Sequence, residues 1–200
     1  MSQSFVLDTN FFINRQRPID LGENIEQVVM NFANLTKPLV KAEKIVLLTT
    51  PDSFKELSSF FEDQPQTLDQ LNNLLTISSY NRNQLQVSGS LFEELIAETG
   101  KRLYRGLRTA EEPLKELVGK PESLTAETLG QKVTQLRDKY RRATRENFID
   151  STTDLGLILL AKEKNAAIVS SDNGLLHWAR NFGCSELLPE VLVKKLKSLS

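Results

Sequence analysis

The run Phe5-Val6-Leu7-Asp8-Thr9-Asn10 and its later counterpart Ala167-Ile168-Val169-Ser170-Ser171-Asp172-Asn173-Gly174 decide the architecture. Each opens with apolar residues in succession, the pattern of a strand covered on both faces. Each then delivers an aspartate, followed by residues that suit a turn. Strands covered on both faces belong to parallel sheets flanked by helices, whose ligands bind beyond the carboxyl ends of the strands. Asp8 and Asp172 are therefore expected at the functional edge of such a sheet.

On either side of these two strands the chain alternates strand and helix. After the first strand (residues 5–9), Ile25, Val28, Val29, Phe32 and Leu35 follow the 3.6-residue period of an amphipathic helix. Lys44-Ile45-Val46-Leu47-Leu48-Thr49 reads as a second buried strand, and Pro51-Asp52 opens a helix carrying Phe54, Leu57, Phe60 and Phe61. Near the C-terminus, a helix over 148–164 buries Leu155, Ile158, Leu159 and Ala161 and feeds the strand at 166–170. A helix over 174–181 and a short strand at Glu186-Leu187-Leu188 complete the series. This is an α/β fold, a parallel sheet with helices on both faces. Residues 66–145 are different: apart from a short candidate strand at 84–87, their apolar residues recur at helical spacing. They predict an inserted helical arm, broken near Gly100 and between Gly119 and Pro121, within a core formed by 1–65 and 146–200.

Asp150 and Asp154 stand four apart at the start of the 148–164 pattern, a spacing that puts two carboxylates on one face of a helix. Four carboxylates without a basic partner repel one another, so Asp8, Asp150, Asp154 and Asp172 together read as a site for a hard divalent cation. Singly, an aspartate after a strand serves equally as a helix cap or an Asx-turn residue. Asn10, Glu56 and Ser171 are candidates for the rim of the same site. Thr9, Ser151 and Ser170 are further candidates to orient carboxylates or waters.

The 200 residues are 40% hydrophobic, enough for one real core. One cysteine and one histidine exclude an internal disulfide and a thiolate zinc cluster, leaving oxygen ligands for any metal. No stretch approaches the roughly 20 apolar residues of a membrane span, and no basic segment leads an apolar one at the N-terminus. A soluble, cytoplasmic protein without membrane attachment is expected. The net charge is −1, but residues 101–146 hold twelve Lys/Arg against seven acids. Arg137, Arg141, Arg142 and Arg145 cluster around Tyr140, a run suited to a polyanion, although a basic helix is also often simply a solvated one.

Three segments carry a family resemblance. Phe5 to Asn10, the run Tyr140 to Asp154 with its Asn147-Phe148-Ile149-Asp150-Ser151-Thr152-Thr153-Asp154 end, and Val169 to Gly174 resemble the protein-only ribonuclease P family of PIN-domain nucleases. The likeness extends along nearly the whole chain. It implies a PIN-like sheet with a helical insertion and a metal-dependent endonuclease that removes the 5′ leader of precursor tRNA. It further implies Mg²⁺ or Mn²⁺ held by Asp8, Asp150, Asp154 and Asp172, and RNA held by the arm's arginines. The arm is implied to pair subunits into dimers that build a larger ring or star, commonly a dodecamer. Two alternatives stand beside it: a second nuclease reading, a toxin-like PIN ribonuclease, and one from another class, a non-catalytic RNA-binding partner of, for example, an RNA ligase.

Overall fold

The computed structural model describes residues 2–14, 19–83, 85–117, 125–149 and 151–199. The chain forms two compact units, one of residues 1–86 and 151–200 and one of residues 87–150.

In the first unit, β1 (Gln3–Leu7), β2 (Ile45–Thr49), β3 (Thr76–Ile77), β4 (Ala167–Val169) and β5 (Glu186–Leu187) form one parallel sheet in the order β3-β2-β1-β4-β5. Between β1 and β2 lie α1 (Asn10–Ile13) and α2 (Ile25–Lys41). Next come α3 (Pro51–Ser59) and α4 (Pro65–Leu74), which lead to β3. The α/β architecture expected from the alternating pattern is present. Phe5 and Leu7 point into a core with Phe11, Phe12, Phe32, Leu39 and Phe61. Val6, between them, is also fully buried, as are Leu157, Ile158 and Leu160. Covering both faces of β1 is the reason its sequence has no polar alternation.

The helix boundaries follow cap chemistry. Asn24 accepts the Gln27 amide at 2.9 Å, and Thr50 accepts the Ser53 amide at 3.2 Å ahead of Pro51, whose missing N–H is no loss in a first turn. Asn165 closes a helix in the left-handed conformation at φ 48°.

The second unit consists of α5 (Gly89–Leu117) and α6 (Ala126–Arg145). They run antiparallel, because Arg102 meets the backbone at Thr144 and Glu146 while Gly106, one turn later, meets Tyr140. Arg102 donates to the carbonyls of Thr144 at 3.2 Å and Glu146 at 2.7 Å, ion-pairs with Glu98 at 2.9 Å and lies over the Phe148 ring. It thereby satisfies carbonyls that the end of α6 leaves without helical partners. Thr125 caps the other end through a reciprocal bond with Thr128.

Several boundaries differ from the sequence expectation. Residues 66–83 belong to the first unit, where α4 and the two-residue β3 extend the sheet; a strand of that length has no periodic signature. The candidate strand at 84–87 is not formed over 85–87, and position 84 lies outside the described residues. Gly100 does not break α5, since an isolated helical glycine costs only about 1 kcal/mol and the Glu98–Arg102 pair spans it. The expected break between Gly119 and Pro121 falls outside the described residues. The helix expected at 148–164 begins instead at Thr152.

A Cβ at Gly106 would sit 2.7 Å from Tyr140 and 2.8 Å from Thr144. Gly106→Val should therefore force α5 and α6 apart and destabilise their pairing by about 1–3 kcal/mol. Urea unfolding followed by circular dichroism measures this, and an unchanged midpoint would refute the close approach.

Candidate active site

The order β3-β2-β1-β4-β5 reverses direction at β1, so the crevice at the carboxyl ends of β1 and β4 is the topological switch point of the sheet. Asp8 follows β1 and Asp172 follows β4 closely. The sheet itself thus brings together two acids that are 164 positions apart in sequence.

Ser170 joins them. Its hydroxyl, fully buried, donates to Asp8 Oδ2 at 2.6 Å and accepts the Asp172 backbone N–H at 2.9 Å. Asp172 is also the N-cap of α8 (Asn173–Asn181), its Oδ1 accepting the amides of Gly174 at 2.6 Å and Leu175 at 3.1 Å. The cap and the functional readings are therefore not alternatives. Capping occupies Oδ1 and fixes the carboxylate plane, which leaves Oδ2 to an external ligand.

Asp8 is 5% exposed. Burial pushes its carboxyl up to about 6; hydrogen bonds from Ser170 and from the backbone and side chain of Asn10 lower it, and the charge of Asp172 raises it. Asn10 therefore stands beside Asp8. Ser171 is buried and its hydroxyl accepts from Asn14 Nδ2 at 2.6 Å, a contact not foreseen from the sequence, where Asn14 is only the first residue of a loop. Thr9 bonds the Ser53 hydroxyl at 3.1 Å, tying the end of β1 to α3.

Asp154 lies in the first turn of α7 (Thr152–Lys164), half-buried, with the Ser151 hydroxyl capping that turn. Asp150 lies outside the described residues. Glu56 is exposed on α3, whose buried side carries Ser53 and Leu57. The four arginines fall on α6. Arg137, Arg141 and Arg145, with Leu136 and Tyr140, line an open groove of about 360 Å³ against Ala110 of α5, and Arg142 is exposed in the last turn.

The donor set around Asp8 and Asp172 consists of carboxylate, hydroxyl and amide oxygens. Among the described residues neither acid is paired with a lysine, arginine or histidine. An unneutralised buried carboxylate beside a second one fits a hard divalent cation. Among the described residues no three such side chains gather closely enough to complete a metal site by themselves.

Residues 4–200 match the family model of the PINc domain ribonucleases. The chain is 32% identical to an RNA-free ribonuclease P of Pyrococcus furiosus, over 97% of this chain and 96% of the relative. It is 31% identical to those of Thermodesulfovibrio yellowstonii (94% of this chain, 90% of the relative) and Thermococcus kodakarensis (98% and 94%). The chain belongs to the RNA-free ribonuclease P family. It is accordingly an endoribonuclease built on a PIN domain, and PIN nucleases depend generally on divalent metal. Both the core and the arm of this family member lie within the matched length, so the arm is part of what the relatives share. Among the described residues no helix is long and apolar enough to cross a membrane.

The raised carboxyl of Asp8 carries a stability signature. Its folded pKa of about 6 lies above the ordinary 3.8, so the protonated form stabilises the fold. That contribution is fully present below 3.8 and is lost as the pH rises through 6. Asp8→Asn should therefore raise the stability of the metal-free protein at neutral pH, by on the order of 2–3 kcal/mol, and flatten its dependence on pH. Chemical denaturation in EDTA across this range tests it, and parallel curves for the two proteins would contradict it.

Proposed function

We propose that the protein removes the 5′ leader of precursor tRNA by hydrolysing one phosphodiester, leaving a 5′ phosphate on the mature tRNA. The observation that carries this reading is the pairing of Asp8 with Asp172 through Ser170 at the switch point of a PIN sheet. It is supported by full-length similarity to proteins named RNA-free ribonuclease P. A toxin-like PIN ribonuclease accounts less well for a similarity that includes the arm, and a non-catalytic RNA-binding protein does not account for the paired acids.

Asp8, Asp150, Asp154 and Asp172 are the catalytic acids in this reading, and Mg²⁺ or Mn²⁺ is the cation they hold. Such an ion, when bound, neutralises charge at the scissile phosphate and increases the acidity of the attacking water. The protein's own part is to fix the carboxylates. Ser170 and Asn10 hold the Asp8 plane, the α8 amides hold Asp172, and the Ser151 cap sets the first turn of α7 that carries Asp154.

The arginines of α6 bind backbone phosphates, so substrate affinity falls with salt. Mature 5′ ends differ in sequence, and recognition rests on the shape of the tRNA rather than on base identity. The reaction belongs to the cytoplasm, where tRNA is matured.

Arm-to-arm contact pairs subunits in this reading, and pairs assemble into a larger ring or star. Phe92, Ile96, Leu103 and Leu107 are each more than half exposed on α5, and their spacing of four, seven and four residues places them on one stripe.

Two outcomes are expected. A 5′-labelled precursor tRNA is cut at the mature 5′ end with Mg²⁺ and left intact with EDTA, and Asp154→Asn abolishes the cut without lowering the melting temperature. Cuts scattered through loops would sink the reading. Leu103→Glu combined with Leu107→Glu lowers the mass measured by light scattering; an unchanged mass would remove the stripe from the interface.

A further inference from the structure

The acids at the switch point create a problem for a nuclease, because they repel the strand that must reach them. The first unit offers little to offset this, with thirteen Lys/Arg against fifteen Asp/Glu in residues 1–86 and 151–200. One built cationic feature of this unit lies on the segment that follows β3.

Ser78 continues the pairing of β3, its N–H bonding the Thr49 carbonyl at 2.9 Å at the carboxyl end of β2. Tyr80 then lays its ring against α7 at Gly156, two residues after Asp154. A Cβ at Gly156 would come 3.3 Å from Tyr80 Cε1 and 3.7 Å from the Thr50 methyl. A glycine at 156 is therefore what lets the ring approach the helix so closely. The next residue is fastened as well, the Asn81 N–H donating to the Glu163 carboxylate at 2.6 Å and the Asn81 side chain accepting the Asn83 N–H at 3.1 Å. On this fixed base the exposed guanidinium of Arg82 lies 5.7 Å over the Tyr80 ring. Among the described residues it pairs with no carboxylate. A guanidinium held over an aromatic face keeps its edge donors free for a planar anion, and the stacking limits the rotamers lost on binding.

We propose that Arg82 is a phosphate-binding residue of the substrate RNA strand beside the acidic site, and that Tyr80 is the positioning residue that holds its guanidinium. Arg82 offsets locally the repulsion between the aspartates and the RNA backbone. The contact is sequence-independent, as suits a substrate whose cut site varies in sequence. This inference rests on the RNA-cleaving reading but makes a claim about binding alone.

The test is the affinity of the full-length protein for a labelled precursor tRNA in EDTA, measured at several salt concentrations. Arg82→Gln should weaken binding about tenfold, the loss of one charge-assisted hydrogen bond, and reduce the slope of log affinity against log salt by about 0.7–0.9. Arg82→Lys should keep the slope. Tyr80→Leu should weaken binding in the native background and have no further effect when combined with Arg82→Gln, a non-additivity that a merely structural tyrosine would not produce. Unchanged affinity and slope in Arg82→Gln, or additive losses in the double variant, would overturn the proposal. Because cleavage is not read, a wild-type protein that binds but does not cut would count against the proposed reaction and leave this outcome readable.

Discussion

The hydroxyl of Ser170 is the point on which the site depends. It is fully buried and has one proton to give, which goes to Asp8, and its lone pair takes the backbone N–H of Asp172. One atom therefore sets the spacing of two acids that belong to different strands. The arrangement is possible because β1 and β4 are hydrogen-bonded neighbours, with Val6 opposite Ile168 and Leu7 opposite Val169. A slip of one residue would turn Ser170 to the other face of the sheet and remove the bridge. Dense apolar packing on both sides of β1 holds that register.

Burial gives Asp8 its character. A carboxylate shielded from water resists ionisation, and its hydrogen bonds offset only part of that cost. The fold thus keeps a group at the end of its central strand that is better satisfied by a cation than by its present surroundings. Asp172 is handled differently, being exposed and fixed by the first turn of α8. The two acids reach the same crevice with unequal solvation, one buried and one exposed.

The arm follows another logic. α6 has no buried residue among those described, and the pair of helices is held by a few close contacts: Tyr140 and Thr144 against Gly106, and Arg102 against the carbonyls at the end of α6. A thin hairpin of this kind leaves much apolar and basic side chain facing outward. Its surface is where the charge asymmetry read from residues 101–146 is displayed.

The strands leading to Asp8 and Asp172, the amphipathic helices, the α/β class and the basic run of α6 were all legible in the sequence, because each is a local property of periodicity, composition or turn chemistry. The family likeness added the reaction. Other features required the fold. Position 154 could be read as helical, but the start of α7 at Thr152 depends on the Ser151 cap, whose competition with other nearby polar residues no periodicity reveals. β3 is two residues long and exists because Leu48 and Thr49 offer it a neighbouring edge. Ser170 and Ser171 look alike in sequence, yet beyond the end of β4 one bonds Asp8 and the other Asn14. Tyr80 and Arg82 carried no signal at all, since their significance lies in Gly156, 76 positions away. Sequence fixes which groups are available at the end of each element; only the packing of those elements determines which groups share a proton, a ring face or an ion, because such contacts are made between residues far apart in the chain.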